Sequence, residues 1–329
     1  MSEAAVIAQS SATRAGAVRL LDWLSRYAAF SAVLLVLLVA AFIAPAFFTA
    51  GNLRAVLIQS AILGIVVIGQ TTALIARGLD MSVAAVMTFA AVLVAQSTAT
   101  GNFGLLIFQL VVLTGLVGAA NSLLVTWRRV PPFVATFAML IVVDGARLAY
   151  THGQSAGSAP AWLKFLGSGA IAGIPIPVVI WAVLLVVAYV CLNRTTWGRW
   201  LYAVGANRGA ARHTGVAVDA VVVSTFFLTA ISGTLAGILL SGYVGYVDNS
   251  LGANYNLNSM AAAIIGGVAF TGGRGGVIGS AMGALLLTIL VNLLVVMGMD
   301  LYWQRIVQGA VLVIAVIIQG LRAQRAGRS

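Results

Sequence analysis

Few side chains in this sequence could carry chemistry, and their spacing does not suit an enzyme. Among its 329 residues are seven acidic side chains, two histidines and one cysteine. His152 and His213 fall in different loops, and no residues stand at metal-ligand spacing or as a nucleophile beside a base. A phosphate-cradling GxxxxGK[ST] segment is missing, and Lys164, in AWLKFLG, is not part of one. The chain is therefore expected to be no enzyme and to bind no cofactor or metal; any ATP and Mg would sit on a partner subunit. Cys191 lies inside an apolar run, where a lone thiol serves packing. Two charged places remain. Asp80, in RGLDMS, reads either as a polar contact at a helix break, pairing with Arg77, or as an N-cap for the helix that follows. Asp144 and Arg147 are three apart and share a helix face. They read as a substrate or proton site, or as a structural ion pair near the outer interface.

The elements that must position these residues are membrane helices. The chain is 61% hydrophobic and only 8% charged, with mean hydropathy +1.07. A soluble domain carries about 25% charge, so the solvent for this surface is lipid. With about 20 apolar residues per crossing, the sequence predicts an all-α polytopic membrane protein of about ten transmembrane helices. The expected spans are 28–48, 55–76, 81–98, 104–126, 133–150, 175–193, 219–243, 258–271, 277–298 and 303–320. The run at 28–48 is too long for the apolar region of a signal peptide and is expected to stay in the mature protein.

Some spans are short or glycine-broken. The stretch 261–292, AAAIIGGVAFTGGRGGVIGSAMGALLLTILVN, carries eight glycines around Arg274. Glycine weakens a helix interior by about 0.5–1 kcal/mol relative to alanine, but small residues let membrane helices approach closely, and a broken helix is tolerated beside a cavity. The stretch is expected to be two helices joined at a break. The segment 69–86, GQTTALIARGLDMSVAAV, echoes this pattern of apolar end, Gly/Arg break and small-residue helix, and suggests a parallel repeat.

The net charge is +11. The arginines lie in short loops rather than in a cluster with exposed aromatics, which excludes nucleic acid as a partner and instead sets orientation. Arg77, Arg128, Arg129, Arg194, Arg199, Arg208, Arg212, Arg274, Arg322, Arg325 and Arg328 fall on one side, and only Arg54 and Lys164 on the other. Both termini are then cytoplasmic. A tail at 1–27, a membrane domain at 28–320 and a basic tail at 321–329 follow, with a periplasmic loop at 151–174 and a cytoplasmic loop at 194–218. Within the latter, residues 203–211 are expected to form a short helix lying across the membrane axis. It would dock on a cytoplasmic motor or, alternatively, rest on anionic lipid. Its small residues favour docking, because close backbone approach needs small side chains. Pro131 and Pro132 fit the first turn of the fifth helix.

Four segments together resemble the permease subunit of bacterial ABC sugar importers of the ribose, xylose, arabinose and galactose type. They are 69–86, VPPFVATFAML at 130–140, TTWGRWLYAVGANRGAARHTGVAV at 195–218, and NLNSMAAAIIGGVAFTGGRGGVIGSAMGALL at 256–286. The resemblance covers roughly 45–320. It departs at Ala84, Asn256, Asn258 and Asp144, near the expected path and its outer mouth, so it leaves the cargo open. What it implies is import of a monosaccharide or similar neutral solute across the bacterial inner membrane by alternating access. The implied partners are a second permease copy or paralogue, a cytoplasmic ATP-binding cassette ATPase and a periplasmic sugar-binding protein. The alternatives are a nucleoside or branched-chain amino acid cargo, or a stand-alone secondary transporter. Contact with the ATPase is implied for Gly198, Arg199, Gly205, Asn207, Ala210, Ala211 and Gly215. A translocation path is expected at Gly78, Asp80, Ser82, Asn258, Gly266, Gly267, Gly273 and Gly279.

Overall fold

The computed structural model describes residues 28–155 and 157–326; the tail read at 1–27 lies outside the described residues. The ten expected spans are ten helices: α1 (Ala28–Ile43), α2 (Ala50–Ile75), α3 (Val83–Thr100), α4 (Phe103–Ser122), α5 (Pro132–Thr151), α7 (Ile176–Arg194), α10 (Val218–Val244), α11 (Tyr255–Ile265), α12 (Val277–Val296) and α13 (Leu301–Ala326). Six of them, α4 with its π-helical extension Leu123–Trp127 included, are long and apolar enough to cross a membrane, and shorter apolar helices accompany them. The chain is an all-α polytopic membrane protein. Three short helices lie between the spans: α6 (Ala161–Ser168), α8 (Thr196–Ala206) and α9 (Arg208–His213). α13 runs on to Ala326, so most of the segment read as a basic tail is helical.

Local chemistry sets the ends. The Asn102 side chain caps α4, accepting from Leu105 N at 3.0 Å, and Pro132 opens α5, where a missing N–H costs nothing. The helix expected across 203–211 is in fact two. Asn207 is extended (φ −160°, ψ 108°), and its Oδ1 accepts from Ala210 N at 3.0 Å, starting a new helix there.

α2 and α10 form the centre. α10 packs against α2, α3, α4 and α6, while α12 packs against α1, α2 and α11. More than half of the apolar window of α2, α10 and α12 is buried, against 22% for α4, α5 and α7. The outer helices turn Leu34, Leu38, Ile107, Val111, Val183 and Val186 outward, as a lipid-facing surface requires. Polar pairs tie the inner helices: Asn52 and Asn292 exchange amide bonds at 2.9 Å, and Thr71 donates to Ser280 at 2.8 Å.

The two ends of the bundle differ. At one, Arg54 donates to Ser168 O, and two-residue strands Gly157–Ser158 and Tyr246–Val247 pair antiparallel. There Arg147 sits 3.1 Å from Asp144 and also binds the Asn249 carbonyl and its side chain, whose amide reaches Gln154 O at 2.9 Å. Arg147 thereby joins Asp144 and the end of α5 to the loop before α11. The other end gathers Arg77, Arg129, Arg208 and Arg212.

Candidate functional site

Two helix breaks and one hairpin meet at the arginine-rich end. α2 stops in a Schellman motif: Gly78 N reaches Ala73 O (2.7 Å) and Arg77 N reaches Leu74 O (3.0 Å), with Arg77 left-handed at φ 59°. α11 stops in the same way, through Val268 N to Ala263 O and Gly267 N to Ile264 O, with Gly267 at φ 94°. The echo between 69–86 and the glycine stretch is thus a shared helix ending. At the first, an arginine holds the position that glycine usually takes, at a cost of about 1 kcal/mol or more.

Its side chain gives the reason. Arg77 does not pair with Asp80. It donates instead to Gly205 O (2.5 Å) and Ala206 O (2.6 Å), at the end of α8. Arg208, opening α9, donates back to Ala76 O at 3.0 Å. From the other break, Gly273 N donates to Ile75 O at 2.9 Å, and Tyr202 of α8 donates to Gly275 O at 2.8 Å. The α8–α9 hairpin, the end of α2 and the loop between α11 and α12 are therefore one hydrogen-bonded joint. Gly205 is required at its centre, because a Cβ there would overlap Ile75 O and stand 2.6 Å from Gly273 N.

The other expected hairpin residues surround this joint. Gly198 packs α8 against the end of α7, where a Cβ would stand 2.6 Å from Cys191 O. Ala211 is buried in the apolar cluster beneath, with Leu201, Val204 and Phe226. Arg199, Asn207 and Ala210 are exposed, and Gly215 makes a left-handed turn at φ 80°.

The expected path residues divide between places. Gly78, Asp80 and Ser82 lie buried at the α2–α3 break. Asp80 is wholly enclosed: Oδ1 accepts from Ser82 N (2.8 Å) and Ser82 Oγ (2.6 Å), and Oδ2 accepts from Thr229 of α10. Asn121 of α4 donates to Ser82 Oγ at 2.9 Å, and Thr136 of α5 bridges Leu79 O and Met81 N. The bond to Ser82 N is the turn that precedes α3, close to the N-cap reading. Gly266 and Gly279 face each other where α11 crosses α12; a Cβ on either would overlap the other's carbonyl. Gly273 belongs to the joint, and Asn258 sits half-buried on α11.

Sequence reasoning passed over Gln70. It is fully buried in α2, yet neither Nε2 nor Oε1 has a partner, and the buried Ser60 hydroxyl is likewise unpaired. A buried polar group without a partner costs about 1–3 kcal/mol. A cavity of about 510 Å³ between α2, α7, α8 and α10 has apolar walls, Leu184, Phe227 and Leu235 among them, and offers little to a sugar. Among the described residues there is no cluster of metal-ligating side chains.

The family profile described as "Branched-chain amino acid transport system / permease component" matches residues 52–316. The chain belongs to this permease family. Similar permeases include the ribose import permease protein RbsC of Escherichia coli K12, 29% identical over 90% of this chain and 94% of that protein. The fructose import permease protein FrcC of Rhizobium meliloti is 33% identical over 83% of this chain and 78% of its own. The autoinducer 2 import system permease protein LsrC of Yersinia pseudotuberculosis is 34% identical over 79% and 74%. No solved structure gave a significant match. As a permease, the chain is a multi-pass membrane transport subunit rather than an enzyme.

Proposed function

We propose that this permease is the membrane half of an ATP-driven importer for a monosaccharide or a related neutral polyol, with the arginine-rich end facing the cytoplasm. A nucleotide-binding subunit docks on α8–α9, a periplasmic binding protein delivers the cargo at the opposite end, and a second permease copy completes the path. ATP and Mg belong to the docked subunit. The observation that carries this reading is the joint. A push on an exposed hairpin reaches the ends of α2 and α11 directly, through Arg77, Arg208 and Gly273. Such a push shifts the permease between outward and inward states only if the docked subunit prefers one of them.

The cargo class rests on where charge is absent. Within the bundle, Asp80 is the buried carboxylate, and three hydrogen bonds from Ser82 and Thr229 occupy it. Between the inner helices, neutral groups stand without a partner, the Gln70 amide and the Ser60 hydroxyl among them. These suit sugar hydroxyls, which donate and accept. The ribose and fructose relatives point the same way. The family description favours a second reading, branched-chain amino acids, but a zwitterion would call for an unpaired charge in the path.

The test is gentle affinity purification of the tagged chain from its own membrane, followed by uptake in proteoliposomes. A stoichiometric nucleotide-binding subunit and ATP-dependent uptake of a labelled monosaccharide support the proposal. Uptake by the chain alone, driven by an ion gradient, overturns it. Uptake of leucine but no sugar moves the cargo to the amino acid reading.

A further inference from the structure

A second cavity, of about 440 Å³, opens at the arginine-rich end between the α4–α5 junction and the α9–α10 junction. Its lining combines apolar side chains, Val125, Pro132 and Val222, with Arg129, Arg208 and Arg212. The carboxylate there, Asp219, is paired with Arg212 at 3.2 Å. Two guanidinium charges are thus left without an anionic partner among the described residues of this lining. Arg208 spends one nitrogen on Ala76 O, while its buried Nε has no partner. Burial first, then the positive charges of Arg77 and Arg212, push the Arg208 pKa below its ordinary value, with Asp219 acting the other way. The joint itself creates this crowding, because it holds Arg208 and Arg77 side by side.

The neighbouring end of α4 identifies what relieves it. Trp127 ends the apolar length of α4–Leu123–Trp127 and is 71% exposed, with Arg128 stacked 5.1 Å over its ring. A tryptophan–arginine pair at the end of an apolar helix marks the headgroup level of the bilayer. We infer that the cavity binds the phosphodiester headgroup of an anionic phospholipid, phosphate against Arg129, Arg208 and Arg212 and the upper acyl chain along the Val125–Pro132–Val222 wall. A basic pocket between membrane helices with apolar side chains in its lining has the chemistry of a lipid headgroup site. A fully solvated ion would leave the apolar side chains of the lining without a counterpart. The lipid then braces the joint from the side where α9 meets α10, so membrane composition bears on how firmly the hairpin is held.

Native mass spectrometry of the full-length chain, stripped of lipid in neutral detergent, tests this with phosphatidylglycerol and phosphatidylcholine as probes. The wild type is expected to take up one phosphatidylglycerol ahead of phosphatidylcholine. Arg129→Gln with Arg212→Gln is expected to weaken that first binding about 25-fold, at roughly fivefold per surface arginine. Arg129→Lys with Arg212→Lys is expected to keep most of it, and serves should the glutamine variant fail to fold. Arg54→Gln, at the opposite end, is expected to bind as wild type. Equal binding of the two lipids, or an unaltered first binding in the glutamine variant, overturns the proposal. So does competition by inorganic phosphate at equal concentration, which assigns the site to a free anion, or loss of the lipid whenever a copurified nucleotide-binding subunit is present, which assigns it to an acidic segment of that partner.

Discussion

Replacing Gly205 by alanine adds one methyl group at the tightest point of the joint. The new Cβ overlaps the Ile75 carbonyl oxygen and lies 2.6 Å from Gly273 N, about 0.4 Å short of the 3.0 Å below which real Cβ contacts essentially never fall. Both neighbours are main chain, so neither can rotate away. If the joint stays closed, overpacking costs about 1–3 kcal/mol. If α8 backs off, the two Arg77 bonds to Gly205 O and Ala206 O lengthen; bonds from a charged donor are worth about 1.5 kcal/mol each at the low end. Either way the engaged hairpin loses about 2 kcal/mol, roughly a 30-fold shift in the balance between engaged and disengaged forms. In proteoliposomes containing the nucleotide-binding subunit and the binding protein, sugar moved per ATP hydrolysed is expected to fall at least tenfold, while the subunits still associate. Gly276→Ala is the control. It adds the same methyl beside the same break, with nothing nearer than Tyr202 Oη at 4.0 Å. If Gly205→Ala and Gly276→Ala both keep the wild-type ratio within twofold, force does not pass through this contact and the proposed mechanism is wrong.

Arg77→Ala and Arg77→Gly both remove the clamp, but only glycine relieves the left-handed backbone; the glycine variant is expected to be more stable by about 1 kcal/mol, and equal thermal unfolding would refute the strain. Asp80→Asn keeps an acceptor for Ser82 and a partner for Thr229 and is expected to fold and transport. Asp80→Ala strands those donors in a dry interior and is expected to cost about 3 kcal/mol or more, read as lost yield of folded protein. Gln70→Leu removes no hydrogen bond present in this state, so stability is expected to hold or rise while uptake falls several-fold; unchanged uptake would take Gln70 out of the path.

The spans could be read from the sequence because lipid makes length and apolarity decisive. Even the short α11 showed itself in its glycine-terminated run. The hairpin was legible as a place but not as a shape. Asn207, capping α9, splits the expected helix, and a single polar residue among small ones does not announce that it will turn extended. The Arg77–Asp80 pairing was a natural guess from a separation of three, but a Schellman ending swings Arg77 to one side while Asp80 turns inward to Thr229, 149 residues away. Gln70 gave no local signal, since its meaning lies in what fails to reach it. Gly266 and Gly279 were visible as small residues at a break; that they meet each other depends on the crossing of α11 and α12, which spacing alone does not specify.

Arg54, Arg77 and Arg208 share a habit with a consequence for how this molecule changes over generations. Each reaches across the fold to a main-chain oxygen: Ser168 O, Gly205 O with Ala206 O, and Ala76 O. A carbonyl survives any substitution of the residue that bears it. Gly205 is held by the space around it, but Ser168, Ala206 and Ala76 can drift without compensating changes in the arginines, and paired-substitution statistics will be blind to the contacts that hold the hairpin in place. Correlated variation at this end should instead appear between positions that compete for volume, such as 205 with 273, rather than between the partners that bond.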